Sequence, residues 1–313
     1  LFKVKIFKLD TSTSFKEQNI CLAIGNFDGF HKGHQEILKI LKKISIEKKL
    51  SSAVMSFDPH PRFFFNKNSE NFNIYTKEDK LKYLKNFDID IYVSFTFNNI
   101  LSEYSSKKFI EEILFKKLNI KSLVVGSDFK FGKDRSGNID ILNNYSKIYG
   151  FNINLVNTIN INKDKSEKFS SSLIRNDIKE GNFESVSQSL GRHWHMTGKI
   201  IEGQKKAREI NFPTANIEPG SHILPKKGVY CVEVIYDSKK YLGISNFGIR
   251  PTVDGSKLLL ETHIFNFDEE IYGKELTVLF LTFIRPEQKF SNFKLLTEQI
   301  KKDIETAKDY LKI

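Results

Sequence analysis

Two histidines, three glycines and an aspartate crowd one short stretch of this chain, Gly25-Asn26-Phe27-Asp28-Gly29-Phe30-His31-Lys32-Gly33-His34. An apolar run, Ile20 to Ile24, precedes it, and Ile37, Leu38, Leu41 and Ile44 recur at helical spacing behind it. The stretch therefore reads as a strand-to-helix turn. Gly25, Gly29 and Gly33 let the backbone bend and approach a ligand closely. The following helix offers unpaired N–H groups and the positive end of its dipole, which suits a phosphate. His31 and His34, three apart at the helix start, can face one ligand. There is no Gly-Lys-Ser/Thr ending and no G-x-G-x-x-G, so neither a P-loop nor a dinucleotide fingerprint is supported. Two histidines at this spacing can bind zinc, but no third ligand is obvious nearby.

H-x-G-H in this position resembles the nucleotidyltransferase superfamily. The resemblance implies that the two histidines hold a nucleoside triphosphate and stabilise the charge that builds at the α-phosphate as pyrophosphate leaves. That chemistry calls for positioned donors, not a covalent nucleophile.

Other candidates follow along the chain. Asp58-Pro59-His60-Pro61-Arg62 ends a strand-like run, where His60 and Arg62 are placed to meet an anion. Gly126 to Gly137 is a second glycine-punctuated turn after a strand. It carries Asp128 and the alternating Phe129 and Phe131, one of which can face a planar ligand. Ser170-Ser171-Ser172-Leu173-Ile174-Arg175 opens a helix; its hydroxyls are ordinary caps, and with Arg175 they also suit phosphates. Thr214 and Asn216, in Phe212-Pro213-Thr214-Ala215-Asn216, are hard oxygen donors suited to Mg²⁺. Upstream, Gly203 to Arg208 is a Gly- and Lys-containing loop able to cover phosphates. Glu261 interrupts the apolar run Leu258 to Ile264. It reads either as an outward residue of a half-exposed strand or as a general base.

The elements that must position these groups fall into two patterns. Up to about residue 187, strands alternate with helices: Ser52–Phe57, Ile89–Phe95, Lys121–Val125 and Phe151–Val156 as strands, Ser105–Leu118 and Ser170 to about Gly181 as helices. That alternation predicts a doubly wound parallel sheet. From about residue 188 short strand-like runs take over (His195–Glu202, Val229–Tyr236, Tyr241–Phe247, Leu258–Ile264, Leu276–Ile284), which predicts an antiparallel barrel or sandwich. A junction near 181–190 reads as short and helical. A final amphipathic helix carries the stripe Phe293, Leu296, Ile300, Ile304, Ala307 and Leu311.

At 313 residues two domains are the default, and 40% hydrophobic residues supply two cores. The net charge of +11 admits nucleic-acid binding, but lysines such as Lys39, Lys42, Lys43, Lys48 and Lys49 are scattered on helix faces, so no nucleic acid is expected. Cys21 and Cys231 lie far apart in apolar runs and read as reduced core residues. No signal-like opening segment and no membrane-length apolar run is seen, and the expected setting is cytoplasmic.

Taken together, the segments resemble the bacterial bifunctional riboflavin kinase/FAD synthetase family over nearly the whole chain. The resemblance rests on Gly25–His34, Phe57–Arg62, Gly126–Gly132 and Ser170–Arg175. In the second half it rests on Gly191-Arg192, Gly198–Gly203, Phe212–Ile217, Gly228–Tyr230, Asn246–Thr252, Glu261–Phe267, Tyr272-Gly273 and Arg285–Phe290. It implies an α/β doubly wound nucleotidyltransferase domain (1–187) followed by a mainly antiparallel β-barrel kinase domain with a C-terminal helix (188–313). The kinase half would phosphorylate riboflavin with ATP to give FMN. The first half would adenylylate FMN with a second ATP, giving FAD and pyrophosphate, with Mg²⁺ at both sites. Carried over residue by residue, His31, His34 and Glu261 are catalytic. Gly25, Asn26, Phe27, Asp28, Gly33, Ser171, Ser172, Arg175, Gly203, Lys205 and Arg208 bind nucleotide or phosphate. His60, Pro61, Arg62, Asp128, Phe129 and Arg285 bind flavin, and Thr214 and Asn216 hold the metal. The chain departs from the family at Ala207 and Asn211, where Gly is usual, at Ser172 for a common Thr, and at Leu173 for a frequent basic residue.

Overall fold

The computed structural model describes residues 3–66, 71–157, 159, 168–202, 212–252 and 255–313. The chain forms two compact units, one of Leu1–Glu70 and Thr76–Ser170, the other of Asn71–Tyr75 and Ser171–Ile313.

The first unit is built on six strands: β1 (Lys5–Leu9), β2 (Ile20–Ile24), β3 (Ser51–Asp58), β4 (Ile91–Thr96), β5 (Ile120–Gly126) and β6 (Asn152–Val156). They pair in the order β1-β4-β3-β2-β5-β6, every neighbouring pair parallel. The helices are α1 (Lys32–Glu47), α2 (Pro61–Phe65), α3 (Lys77–Asn86), α4 (Asn99–Ser102), α5 (Ser106–Lys108) and α6 (Ile139–Tyr149). α5 runs on as a π-helical turn, Phe109–Lys117.

Strand alternation sends side chains to two different cores. Ile20, Leu22 and Ile24 face one, with Ile110, Ile113 and Leu142; Cys21 and Ala23 face the other, with Leu38, Leu41 and Leu84. Both faces are covered, which explains the unbroken apolar strands read from the sequence. The chain reverses direction across the sheet between β2 and β5, so the carboxyl ends of β2, β3 and β5 frame the crevice where open sheets bind ligands.

The second unit begins with α7 (Ser171–Glu180) and α8 (Phe183–Leu190). It continues through β7 (Trp194–Ile201), β8 (Ala215–Ile217), β9 (Gly228–Tyr236), β10 (Lys239–Thr252), β11 (Gly255–Ile264) and β12 (Glu275–Pro286), and ends in α9 (Phe293–Leu311). The strands close a barrel, β10-β11-β8-β7-β12-β9, antiparallel throughout. Closure leaves no sheet edge, and it resolves the choice between barrel and sandwich. α9 docks through Ile300, Ile304 and Ala307 on Val229, Cys231 and Leu281.

The compact units divide at 170/171, before α7, whereas the sequence reading at 187/188 falls inside α8. The reason is aromatic packing. Phe183 of α8 lies 5.1 Å from Phe280 and 5.9 Å from Trp194, centroid to centroid, inside the barrel unit. A five-residue excursion of the chain, Asn71–Tyr75, also belongs to this unit. The buried Trp194 indole donates to Ile74 O at 2.8 Å, and Ile223 N donates to Asn73 O at 2.7 Å.

Candidate active sites in the two units

In the first unit the turn after β2 carries the two histidines. His31 caps α1: its Nδ1 accepts from His34 N at 3.3 Å, and it is 8% exposed. The His31 and His34 rings stack, centroids 3.7 Å apart and planes 21° apart. Gly33 makes room for this, because a Cβ there would lie 3.1 Å from His31 Nδ1. Gly29 alone of the three glycines takes positive φ (88°); the other left-handed positions are Phe27 and Phe30, at 48° and 46°. The bend is thus made largely by two phenylalanines whose side chains are anchored in the core. Phe27, expected at the nucleotide, is buried. Its ring supports His34, centroids 5.0 Å apart.

Asn26 Oδ1 in the same turn is buried with no hydrogen-bond partner among the described residues. Lys80 Nζ of α3, which sequence reasoning did not single out, donates to Asn26 O at 2.9 Å. Burial pushes the Lys80 ammonium pKa down, with nearby Asp28 and Asp58 opposing. Asp28 is buried beneath the turn.

At the end of β3, His60 caps α2, its Nδ1 accepting from Arg62 N at 3.1 Å, with Pro61 at the first helical position. Arg62 is exposed. After β5, Asp128 is paired with Lys168. Phe129 stacks on Phe131 at 5.4 Å and packs against the core that buries Phe131. The topology brings the ends of β2, β3 and β5 to one edge of the sheet. Ser171, Ser172 and Arg175 belong to the other compact unit. There Arg175 is buried; its Nε donates to Phe72 O at 2.9 Å and its guanidinium lies 3.8 Å from the Phe72 ring centroid.

In the barrel unit, pairing register does the positioning. Glu261 of β11 sits opposite Asn246 of β10 on one side and Asn216 of β8 on the other. Paired residues project to one face, so the three form a row across three strands. Asn216 is 5% exposed, and its Oδ1 has no hydrogen-bond partner among the described residues. A buried amide oxygen so placed, with the Thr214 hydroxyl two residues away, is a hard-oxygen donor set that fits a small divalent cation. Among the described residues no group of three or more His, Cys, Asp or Glu could hold a metal ion.

A cavity of about 530 Å³ opens beside this row, lined by Thr214, Ala215, Thr262, Phe267, Glu270 and Tyr272 among others. Glu261 and Asn216 are not among its lining residues, whereas their neighbours Thr262 and Ala215 are. His263, also not singled out from the sequence, holds the loop before β8: its Nδ1 donates to Pro213 O at 3.0 Å, and Phe212 packs edge-on against its ring. Burial holds the His263 pKa below the usual histidine value, the hydrogen bond to Pro213 opposing.

Arg285, expected at the flavin, ties β12 to α9. Its Nε and NH2 donate to the two carboxylate oxygens of Asp303 on α9, at 2.8 and 2.7 Å, and NH1 donates to Pro286 O. Gly203, Lys205 and Arg208, with the departures Ala207 and Asn211, lie outside the described residues.

A parallel sheet with a histidine-bearing turn at a strand end, followed by a closed barrel with an Asn–Glu–Asn row, suits a two-domain nucleotide-dependent transferase. Comparison with known proteins makes the assignment specific. Residues 14–173 match the FAD synthetase family and residues 190–311 the riboflavin kinase family. A bifunctional riboflavin kinase/FMN adenylyltransferase from Buchnera aphidicola subsp. Schizaphis graminum is 38% identical over 298 residues, covering 94% of this chain and 95% of its own. Proteins of the same name are 37% identical in Haemophilus influenzae, covering 94% of each chain, and 32% identical in Escherichia coli K12, covering 94% of this chain and 93% of its own. The chain belongs to the bifunctional riboflavin kinase/FMN adenylyltransferase family, with the FAD synthetase domain N-terminal and the riboflavin kinase domain C-terminal. A crystal structure described as a macrolide-efflux protein from Streptococcus pneumoniae shares the architecture, at TM-score 0.86 and 27% identity over 97% of this chain and 99% of that one. Among the described residues no helix is long and apolar enough to cross a membrane.

Proposed function

We propose that the barrel transfers the γ-phosphate of ATP to the ribityl 5′-hydroxyl of riboflavin, releasing ADP, and that the parallel-sheet unit joins AMP from a second ATP to the resulting FMN, releasing pyrophosphate. In the first step Glu261 accepts the hydroxyl proton as the oxygen attacks phosphorus. Thr214 and Asn216 would hold Mg²⁺, which supplies neutralisation of phosphate charge when bound. In the second step the FMN phosphate oxygen attacks the α-phosphorus of ATP, and the bond to the β-phosphate oxygen breaks. His31, His34 and the N-terminal N–H groups of α1 hold the charge that develops. The two activities divide with the compact units, adenylylation with the parallel-sheet unit and phosphorylation with the barrel unit that takes in α7 and α8.

The observation that carries this reading is the row Asn216–Glu261–Asn246. It sets an acid–base group one strand from a buried oxygen donor that has no hydrogen-bond partner among the described residues, in the unit matched to riboflavin kinase. The remaining partners are small molecules, and the two buried free cysteines suit a reducing cytoplasm. Incubation of the protein with riboflavin, ATP and Mg²⁺, followed by separation of the flavins, is expected to yield FMN and then FAD; absence of both sinks the proposal.

A further inference from the structure

The carboxylate of Glu261 is gripped on one side only. Arg250 Nε donates to Glu261 Oε2 at 2.5 Å, and no hydrogen bond reaches Oε1 among the described residues. The same guanidinium donates through NH1 to Glu287 Oε1 at 2.9 Å and to Ile249 O at 3.1 Å. With its amide turned so that oxygen faces the guanidinium, Asn246 takes NH2 and gives its own N–H to Gly228 O at 3.2 Å. One planar fork thus serves three side chains in three directions, which a lysine ammonium on its flexible stem does not reproduce. Glu287 reaches Arg250 across Gly248, where a Cβ would lie 1.8 Å from Glu287 Oε1. The sequence therefore keeps position 248 bare where the carboxylate crosses it.

We propose that Arg250 is a positioning residue of the kinase site: it ties Glu261 through Oε2 so that Oε1 is presented to the incoming hydroxyl, while Glu287 and Asn246 hold Arg250 in that pose. This rests on the reading of Glu261 as the base. A glutamate has three side-chain torsions, and a base must stand within hydrogen-bond reach of the proton it takes. Anchoring one oxygen removes most of that freedom without occupying the oxygen that does the chemistry. The two flanking carboxylates also keep the guanidinium from leaving the row.

The test is a double-mutant cycle on FMN formation with R250M, E261Q and the double variant. Conversion of supplied FMN to FAD serves as an internal control. R250M is expected to lower kcat on the order of 100-fold, to leave the riboflavin KM unchanged, and to cost nothing further in the E261Q background. A wild-type kcat in R250M, or losses that multiply in the double variant, overturns the role of Arg250 while an inactive E261Q leaves the base assignment standing. Wild-type kcat in E261Q overturns both. Should R250M not fold, R250K, which keeps the charge and loses the fork, decides by the same criteria.

Discussion

His31 and His34 lie ring on ring, 3.7 Å between centroids, with His31 Nδ1 committed to the His34 backbone N–H. The pair is therefore one unit, with His31 placed by the helix start it caps and His34 placed by the Phe27 ring beneath it. Gly33 is what lets the His31 ring fold over the turn.

Substitution Gly33→Ala should separate stability from activity. Alanine favours the helix by about 0.5–1 kcal/mol over glycine, while its Cβ would press on the His31 ring. The expected result is an unchanged or higher thermal midpoint with slower FAD formation from FMN, and riboflavin phosphorylation unaffected. His31→Ala should stop the sequence at FMN. Flavin separation after a timed incubation reads both variants.

Asn216→Leu should also move stability and activity in opposite directions. The substitution removes a buried amide oxygen that has no partner among the described residues. Such a group costs about 1–3 kcal/mol when left unmade. The barrel should melt no lower than wild type, yet FMN formation should fall sharply and no longer saturate with added Mg²⁺. Calorimetry and a Mg²⁺ titration of kinase rate check the two halves.

The two bidentate ends of Arg285 and Asp303 predict a structural penalty, not a catalytic one. Asp303 has 3% of its side chain exposed and Arg285 15%. Removing one partner of a buried pair costs about 3–5 kcal/mol because the other charge is stranded. Arg285→Met should therefore lower the urea midpoint and loosen α9, detected as faster amide exchange at Ile300 and Ile304. Retention of wild-type stability would return Arg285 to the ligand.

His263 gives the barrel an acid sensitivity of definite sign. Its folded pKa is depressed by burial below the value of about 6.5 for an unfolded histidine. Between the two values the unfolded chain holds more protons, so stability rises with pH there. The contribution is fully present above about pH 6.5 and is lost as pH falls toward the folded value. His263→Gln should flatten that part of the stability–pH curve, measured by denaturant melts from neutral to mildly acidic pH.

What was legible in the sequence was whatever pattern repeats or crowds. The helix after Gly25–His34, the strand alternation and the C-terminal stripe of Ile300, Ile304 and Ala307 all read correctly because periodicity reports burial directly. Short elements escaped: β8 has three residues, and β1 is a half-exposed edge strand whose Lys5 and Lys8 dilute its apolar signal. Helix α3 offers only Leu81, Tyr83 and Leu84 to its core among many charges, whereas α6 sets Ile139, Ile141, Leu142, Tyr145 and Tyr149 against one core, a pattern that was present in the sequence and was not taken up. In the site, residue type carries no information on burial or on partners. Phe27, expected at the nucleotide, is packed in the core, and Arg285, expected at the flavin, pairs with Asp303 of α9. Arg250 went unremarked because its meaning lies in register: two strands and the loop after β12 bring Asn246, Glu261 and Glu287 to one guanidinium, and no spacing within the chain encodes that. A charged residue four along from Asn246 on the same strand face, with a glycine between them, was the signal available.

The excursion of residues 71–75 has a genetic consequence. It gives the chain three covalent joins between its units, at 70/71, 75/76 and 170/171, where two beads on a string have one. A barrel gene clipped out at codon 171 leaves behind the carbonyl of Ile74 that receives the Trp194 indole proton. A single recombination crossover therefore cannot swap the kinase half of this protein for another; a patch within the first half must travel with it. Pairs of exchanges, or compensating change at Trp194, are the routes by which the two activities could be inherited apart.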